Sequence, residues 1–234
     1  MILKKLIKLT FLTTLVTAII TTSCFAVSLG DVIDHFDKVM PDSESYYENG
    51  RNVYFSDISD NHWARGSIYY LAENGIISGM SENIFAPEST TTIYQYIKLV
   101  VCSAAIVDED AILSYKDITS DHWAYIYAAS AEAAGALDIY KGDAIDGDRE
   151  ITREDMAYIA YKILEFRGFN IKSENHELFT DDEDISDYAK EAVYSLRRQG
   201  VILGSGNNMF NPKKTTSRAE ASQIIYNMIN FIEK

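Results

Sequence analysis

Asn61-His62-Trp63-Ala64, Asp121-His122-Trp123-Ala124 and Ser186-Asp187-Tyr188-Ala189 are three versions of one phrase. A glycine follows each aromatic by twelve positions, at Gly75, Gly135 and Gly200. Ile93, Arg153 and Arg218 follow each aromatic by thirty. The aromatics themselves lie 60 and then 65 residues apart. Self-similarity at so fixed a period is the signature of stacked supersecondary units rather than of an ordinary enzyme fold.

Each unit reads as helix, loop, helix. Asn61, Asp121 and Ser186 are of the types that accept a bond from the free N–H groups of a first turn, so they are expected to cap the first helices. Apolar residues then recur one, five and eight positions past the aromatic: Ala64/Ile68/Leu71, Ala124/Ala128/Ala131 and Ala189/Val193/Leu196. That spacing is one stripe of a 3.6-residue helix. Gly75, Gly135 and Gly200 fall where a helix ends on a left-handed residue. The second helices begin at Thr92, Thr152 and Ser217, each with an amide or carboxylate three residues on: Gln95, Asp155 and Glu220. This is the reciprocal capping box, and the shorter Asp155 makes the weakest version. Apolar runs from Ile97 to Ile106, Met156 to Phe166 and Ile224 to Ile232 are suited to pack on one another.

The N-terminus reads differently. Lys4, Lys5 and Lys8 precede an uncharged stretch that ends in Cys24-Phe25-Ala26. A basic start, a short apolar run and a small residue at the end predict a secretory signal peptide over residues 1–26. Cys24 as a lipidated residue is the competing reading, and a buried N-terminal helix a third. The whole chain carries a net charge of −14; without those three lysines it has 18 basic against 35 acidic side chains, or −17. Such a balance disfavours nucleic acid and anionic membrane surfaces as partners. Only Cys102 remains past residue 26, in the apolar run 99–106, where it reads as a buried small hydrophobe. Residues 27–53 form an acidic lead-in, followed by repeats over 54–113, 114–177 and 178–234.

Several residues invite a functional reading. Arg153 and Arg218 open their helices, where a cation opposes the helix dipole. Either each pairs with a nearby acid, or each binds an anion beside free helix N–H groups. Trp63, Trp123 and Tyr188 are either core or half-exposed platforms on which a sugar ring stacks. His62 and His122 sit in equivalent places of different repeats, without ligand-spaced partners, so a zinc site is not indicated. Asp143, Asp146 and Asp148 do not follow a calcium-loop pattern. No nucleophile elbow, phosphate loop or dinucleotide fingerprint is present in the sequence, and no catalytic residue or cofactor is expected.

The pattern resembles the S-layer homology family. The resemblance is carried by an aromatic-x-Asp opening (Phe55-Ser56-Asp57, Tyr115-Lys116-Asp117, Phe179-Thr180-Asp181) and by the Trp-Ala element. A glycine turn follows (Gly75-Ile76-Ile77-Ser78-Gly79, Gly200-Val201-Ile202-Leu203-Gly204), then Phe85-Ala86-Pro87 and Phe210-Asn211-Pro212, and the closing Ser217-Arg218-Ala219-Glu220. The resemblance implies an all-α, pseudo-threefold domain of three repeats around a central helical bundle, with outward prongs. It implies noncovalent attachment to a Gram-positive-type cell wall through an anionic secondary wall polysaccharide, often bearing pyruvate ketals, held in grooves between repeats. The implied contacts are Arg153, Arg218, Trp63, Trp123, Tyr188, Asp57, Asp117, Asp181, Gly75, Gly135, Gly200 and Glu220. A scaffold that binds a protein partner through its prongs or lead-in is the alternative.

The departures bear on the sites. Repeat 1 has Ile93, Tyr94 and Gln95 where the motif has Arg, Ala and Glu. Repeat 2 has Ile145 and Gly147 in place of Phe and Pro, and Ile139 in place of the second glycine. Repeat 3 has Tyr188 for Trp. At most two competent anion sites are therefore expected, at Arg153 and Arg218.

Overall fold

The computed structural model describes residues 53–172 and 177–234. The chain divides into two units at Arg51/Asn52, so the signal-peptide, lipidation and lead-in readings fall outside the described residues, apart from Val53. The described unit is helical: α1 Arg65–Glu73, α2 Ile93–Ser103, α3 Tyr125–Ala133, α4 Arg153–Phe166, α5 Asp187–Arg198 and α6 Arg218–Ile232. A short 3-10 turn, Asp182–Asp184, precedes α5. Among the described residues β-pairing is confined to isolated bridges. The fold is all-α.

Three of those bridges organise the molecule. The N–H of Thr91 donates to the carbonyl of Thr216 (2.9 Å), that of Ile151 to Thr91 (3.0 Å), and that of Thr216 to Ile151 (3.1 Å). The segments just before α2, α4 and α6 thus close a ring of hydrogen bonds that no single repeat could make. Helix packing follows the same succession: α2 lies on α3, α4 on α5, and α6 on α1. Each long helix therefore covers the first helix of the next repeat, and α2 also packs against α4 and α6.

The apolar stripes are the buried faces. Ile68, Leu71, Ala128, Ala131, Val193 and Leu196 are all fully buried. The glycines end their helices as expected: Gly75, Gly135 and Gly200 have φ of 70°, 68° and 73°. Behind them Ile76, Ala136 and Val201 donate back to Leu71, Ala131 and Leu196, the 6→1 bond of the Schellman motif. Thr92/Gln95 and Ser217/Glu220 form complete capping boxes. Thr152 caps Asp155 in one direction only, since the shorter Asp155 carboxylate turns instead to Tyr188.

Three expectations are corrected. The first helices of repeats 1 and 2 begin at Arg65 and Tyr125, not next to Asn61 and Asp121, and have no side-chain cap bond. The turn before each is closed by a histidine instead: the N–H of Ala64 donates to His62 Nδ1 and that of Ala124 to His122 Nδ1, both at 3.2 Å. Ser186 stands at the N-cap of α5, but its side chain accepts no cap bond either. Helix α2 stops at Ser103, short of Ile106, because Ala105 takes a left-handed conformation (φ 51°) and Ile106 bonds back to Val101. Cys102 is half-buried rather than fully enclosed, and burial pushes its thiol up to about 11.

Candidate functional site

The long helices start where neighbouring repeats meet, and these three junctions share a plan. The first two N–H groups of each helix donate to loop carbonyls of the next repeat. Ile93 and Tyr94 bond Arg149 and Gly147; Arg153 and Glu154 bond Lys214 and Pro212; Arg218 and Ala219 bond Ser89 and Pro87. The third N–H is taken by the hydroxyl of Thr92, Thr152 or Ser217. The arginines consequently do not stand beside free helix N–H groups, and any anion they bind must be bound by the guanidinium itself.

Both guanidiniums lie over the loop aromatic of the next repeat. Arg218 sits 4.5 Å from the Phe85 ring centroid and Arg153 sits 5.3 Å from that of Phe210. Each Nε donates to the carbonyl of the same aromatic residue, at 2.9 Å for Phe85 and 2.8 Å for Phe210. From there the two diverge. Arg218 Nη2 donates to Ser78 O at 2.6 Å, and its side chain is half-buried. Arg153 is 5 % exposed and forms an ion pair with Glu220 at 3.3 Å. In repeat 1 the corresponding Ile93 is fully buried.

The acids of the opening motif grip the same loops. Asp57 accepts the N–H groups of Phe85 and Ala86 on its two oxygens, at 2.9 and 2.7 Å. Asp181 accepts those of Phe210 and Asn211, at 2.8 and 2.7 Å. Asp117 takes Ile145 and Asp146 on one oxygen, which also receives the Tyr94 hydroxyl at 3.2 Å. The gripped residues Ala86, Asp146 and Asn211 have φ of 59°, 54° and 57°, so each carboxylate holds its loop in a backbone region that non-glycine residues rarely occupy. Burial raises the Asp57 carboxyl, yet the Phe85 and Ala86 N–H groups and Arg218 together hold it below the usual carboxylate range.

The three aromatics are exposed rather than core. Trp63 is 59 % exposed, Trp123 49 % and Tyr188 40 %. His62 stacks on Trp63 with centroids 5.8 Å apart. Tyr188 donates its hydroxyl to Asp155 at 2.6 Å and meets Tyr158 edge-on. Tyr94 packs against His122 and edge-on against Trp123. Gly75, Gly135 and Gly200 sit at helix ends, where the backbone reason for glycine is sufficient. Among the described residues no group of three His, Cys, Asp or Glu could hold a metal, and no helix is long and apolar enough to cross a membrane.

The acids Glu154 and Glu220 tie repeats together, a role the sequence suggests for neither. Buried Glu154 accepts the Ser186 N–H (3.0 Å) and hydroxyl (3.1 Å) and pairs with Lys213. Glu220 accepts its own cap N–H from Ser217 and pairs with Lys214 at 3.1 Å. Burial raises both carboxyls, but these donors outweigh it and hold both below the ordinary value of 4.5. A depressed folded-state value adds stability that is complete above 4.5 and is lost as pH falls from there through the folded-state value. The urea midpoint is therefore expected to fall as pH drops below about 4.5, and Glu154→Gln should flatten that fall. A midpoint of Glu154→Gln that tracks the parent's at every pH would refute this assignment.

Three segments, residues 54–92, 114–157 and 178–222, match the S-layer homology domain, and together they make up more than half of the chain. The chain belongs to the S-layer homology family. Its relatives include an amylopullulanase of Thermoanaerobacterium thermosulfurigenes, 35% identical over 179 residues, 75% of this chain and 9% of that protein. An exoglucanase XynX of Acetivibrio thermocellus is 35% identical over 188 residues, covering 76% of this chain and 16% of its own length. The S-layer protein EA1 of Bacillus anthracis is 34% identical over 176 residues, covering 73% and 19%. The chain thus spans less than a fifth of each of these relatives. Two carry enzyme names and one is named an S-layer protein, so the segment this chain matches does not go with a single named activity.

Proposed function

We propose that the protein is a noncatalytic attachment module that binds an anionic polysaccharide of the bacterial cell wall where its repeats meet. The pyruvate-ketal class is the ligand chemistry favoured, because a ketal carboxylate needs a localised cation beside a surface on which a sugar face can stack. The observation that carries the reading is the half-buried Arg218 guanidinium held over a loop aromatic where two repeats meet, in a chain whose every repeat also exposes an aromatic ring. Charge-assisted bonds to a carboxylate suit arginine, and an amphipathic ring suits a sugar face. With net charge −14 the chain has little long-range attraction for a polyanion, so local geometry must supply the affinity. The closed ring of hydrogen bonds supports a pseudo-threefold arrangement of these junctions. The site of action in this reading is the cell surface.

Co-sedimentation with purified wall sacculi tests it, with and without chemical removal of the wall polysaccharide. Binding is expected to require the polysaccharide and to fall by on the order of tenfold or more in Arg153→Ala/Arg218→Ala, the loss of a charge-assisted bond worth about 1.5–3 kcal/mol. Binding indifferent to the polysaccharide or to both arginines would shift the reading to a scaffold that recognises a protein partner.

A further inference from the structure

The three junctions differ in ways that decide which can take a ligand, and the differences lie at the second and third residues of the long helices. In the junction of repeats 2 and 3, Arg153 is 5 % exposed and paired with Glu220, the third residue of α6, which Lys214 shares. Its space is crossed by Glu154, which binds Ser186 and Lys213, and by the Tyr188 hydroxyl on Asp155. In the junction of repeats 1 and 2, Ile93 stands in place of the helix-opening arginine, the loop's Arg149 pairs with Asp155 at 3.7 Å, and the ring of Tyr94, 1 % exposed, fills the space over Gly147.

The junction of repeats 3 and 1 has neither obstruction. The second residue of α6 is the small Ala219, and Trp63 is the most exposed of the three platform rings. The succession that sets Glu220 against Arg153 sets Gln95, the third residue of α2, in the corresponding place relative to Arg218. Among the described residues Arg218 forms no ion pair within 4.0 Å, and the Asp57 carboxylate that faces it electrostatically has both oxygens committed to backbone N–H groups. Gln95 caps α2 as Glu would, its side-chain oxygen accepting the Thr92 N–H at 3.1 Å, but brings no charge.

We infer that the wall-glycan carboxylate is bound at one junction only, that of repeats 3 and 1, with Arg218 as the contact and Gln95 as the residue that keeps its charge available. The inference rests on the attachment function proposed above. It narrows the expected site count from at most two to one, and it gives Gln95 a role: its neutrality preserves a cation that a glutamate would quench.

Sacculus-binding isotherms at fixed ionic strength test it, using the full chain and the variants Gln95→Glu, Arg218→Ala, Arg153→Ala and Tyr188→Phe. Each variant is checked for an unchanged thermal midpoint. Gln95→Glu completes the same capping box, so it folds while supplying the missing acid. Gln95→Glu and Arg218→Ala are each expected to lower the affinity by on the order of tenfold. Arg153→Ala should change it by less than about twofold. Tyr188→Phe, which keeps the ring and disturbs the fold least, probes the same junction should Arg153→Ala destabilise the chain, and is expected to bind as the parent does. Parent-like affinity in Gln95→Glu, or a loss in Arg153→Ala or Tyr188→Phe equal to that in Arg218→Ala, would overturn the single-site assignment while leaving wall attachment intact. Failure of the parent to bind, or binding that survives removal of the polysaccharide, would overturn attachment and the assignment with it.

Discussion

Gly147→Ala is expected to destabilise the protein by about 3 kcal/mol, the upper part of the range for overpacking a filled interior. A Cβ at residue 147 would lie 2.2 Å from two carbons of the Tyr94 ring. The ring has nowhere to go without loss. It is enclosed, it packs on His122 and Trp123, and its hydroxyl bonds Asp117. Swinging out would expose an aromatic side chain and leave a cavity; staying forces the loop away and strains the Tyr94 N–H bond to the Gly147 carbonyl, now 2.9 Å. For a domain of this size the thermal midpoint should drop by about 6–12 °C. The partner variant makes the test specific. Tyr94→Ala alone should also destabilise, by cavity formation, but Gly147→Ala added to it should cost about 1 kcal/mol or less. A double-mutant cycle with a coupling near zero would show that the ring and the glycine are not in contact.

That pair explains two departures from the repeat pattern at once. Repeats 1 and 3 have proline at the position of Gly147, and repeat 3 has alanine at the position of Tyr94. Taken singly, each substitution reads as decay of a motif. Together they are one change, a ring exchanged for a small residue at one junction and the reverse across it. Periodicity exposes the helices, the buried stripes and the left-handed glycines, because these follow from local geometry repeated three times. It does not show which loop meets which helix, since that pairing runs between repeats 1 and 3 as well as between neighbours in sequence, over 133 positions in the case of Arg218 and Phe85. The helix starts at Arg65 and Tyr125 were missed for a different reason: the sequence offers Asn61 and Asp121 as ordinary caps, and histidine Nδ1 is an uncommon substitute. The arginines were legible as special, but their partners were not. Whether such a cation is quenched depends on Glu220 or Gln95, each the third residue of a helix in the next repeat.

The second large effect is expected at Asp181. Asp181→Ala should lower stability by about 3–5 kcal/mol, because the carboxylate bonds two loop N–H groups and one of them, that of Phe210, is buried. The loss has three parts. Two charge-assisted hydrogen bonds vanish, and with Phe210 1 % exposed no water can readily replace the inner one. Asn211 is released from a left-handed conformation (φ 57°) that its neighbours impose. Arg153, desolvated by burial and balanced first by Glu220 and then by Asp181, loses its second acid. Asp181→Asn separates the contributions, since in the same orientation its NH2 group replaces the oxygen that takes one N–H while its carbonyl oxygen keeps the other; about half of the loss should remain. Asp57→Ala should behave alike at the other arginine junction, where its oxygens hold Phe85 and Ala86. There the consequence reaches binding too, because the Phe85 carbonyl anchors Arg218 Nε at 2.9 Å. Chemical denaturation of the three variants decides the matter: Asp181→Ala within about 1 kcal/mol of the parent would mean that the loop holds its shape without the carboxylate, and that the opening-motif acids are free to serve a ligand instead.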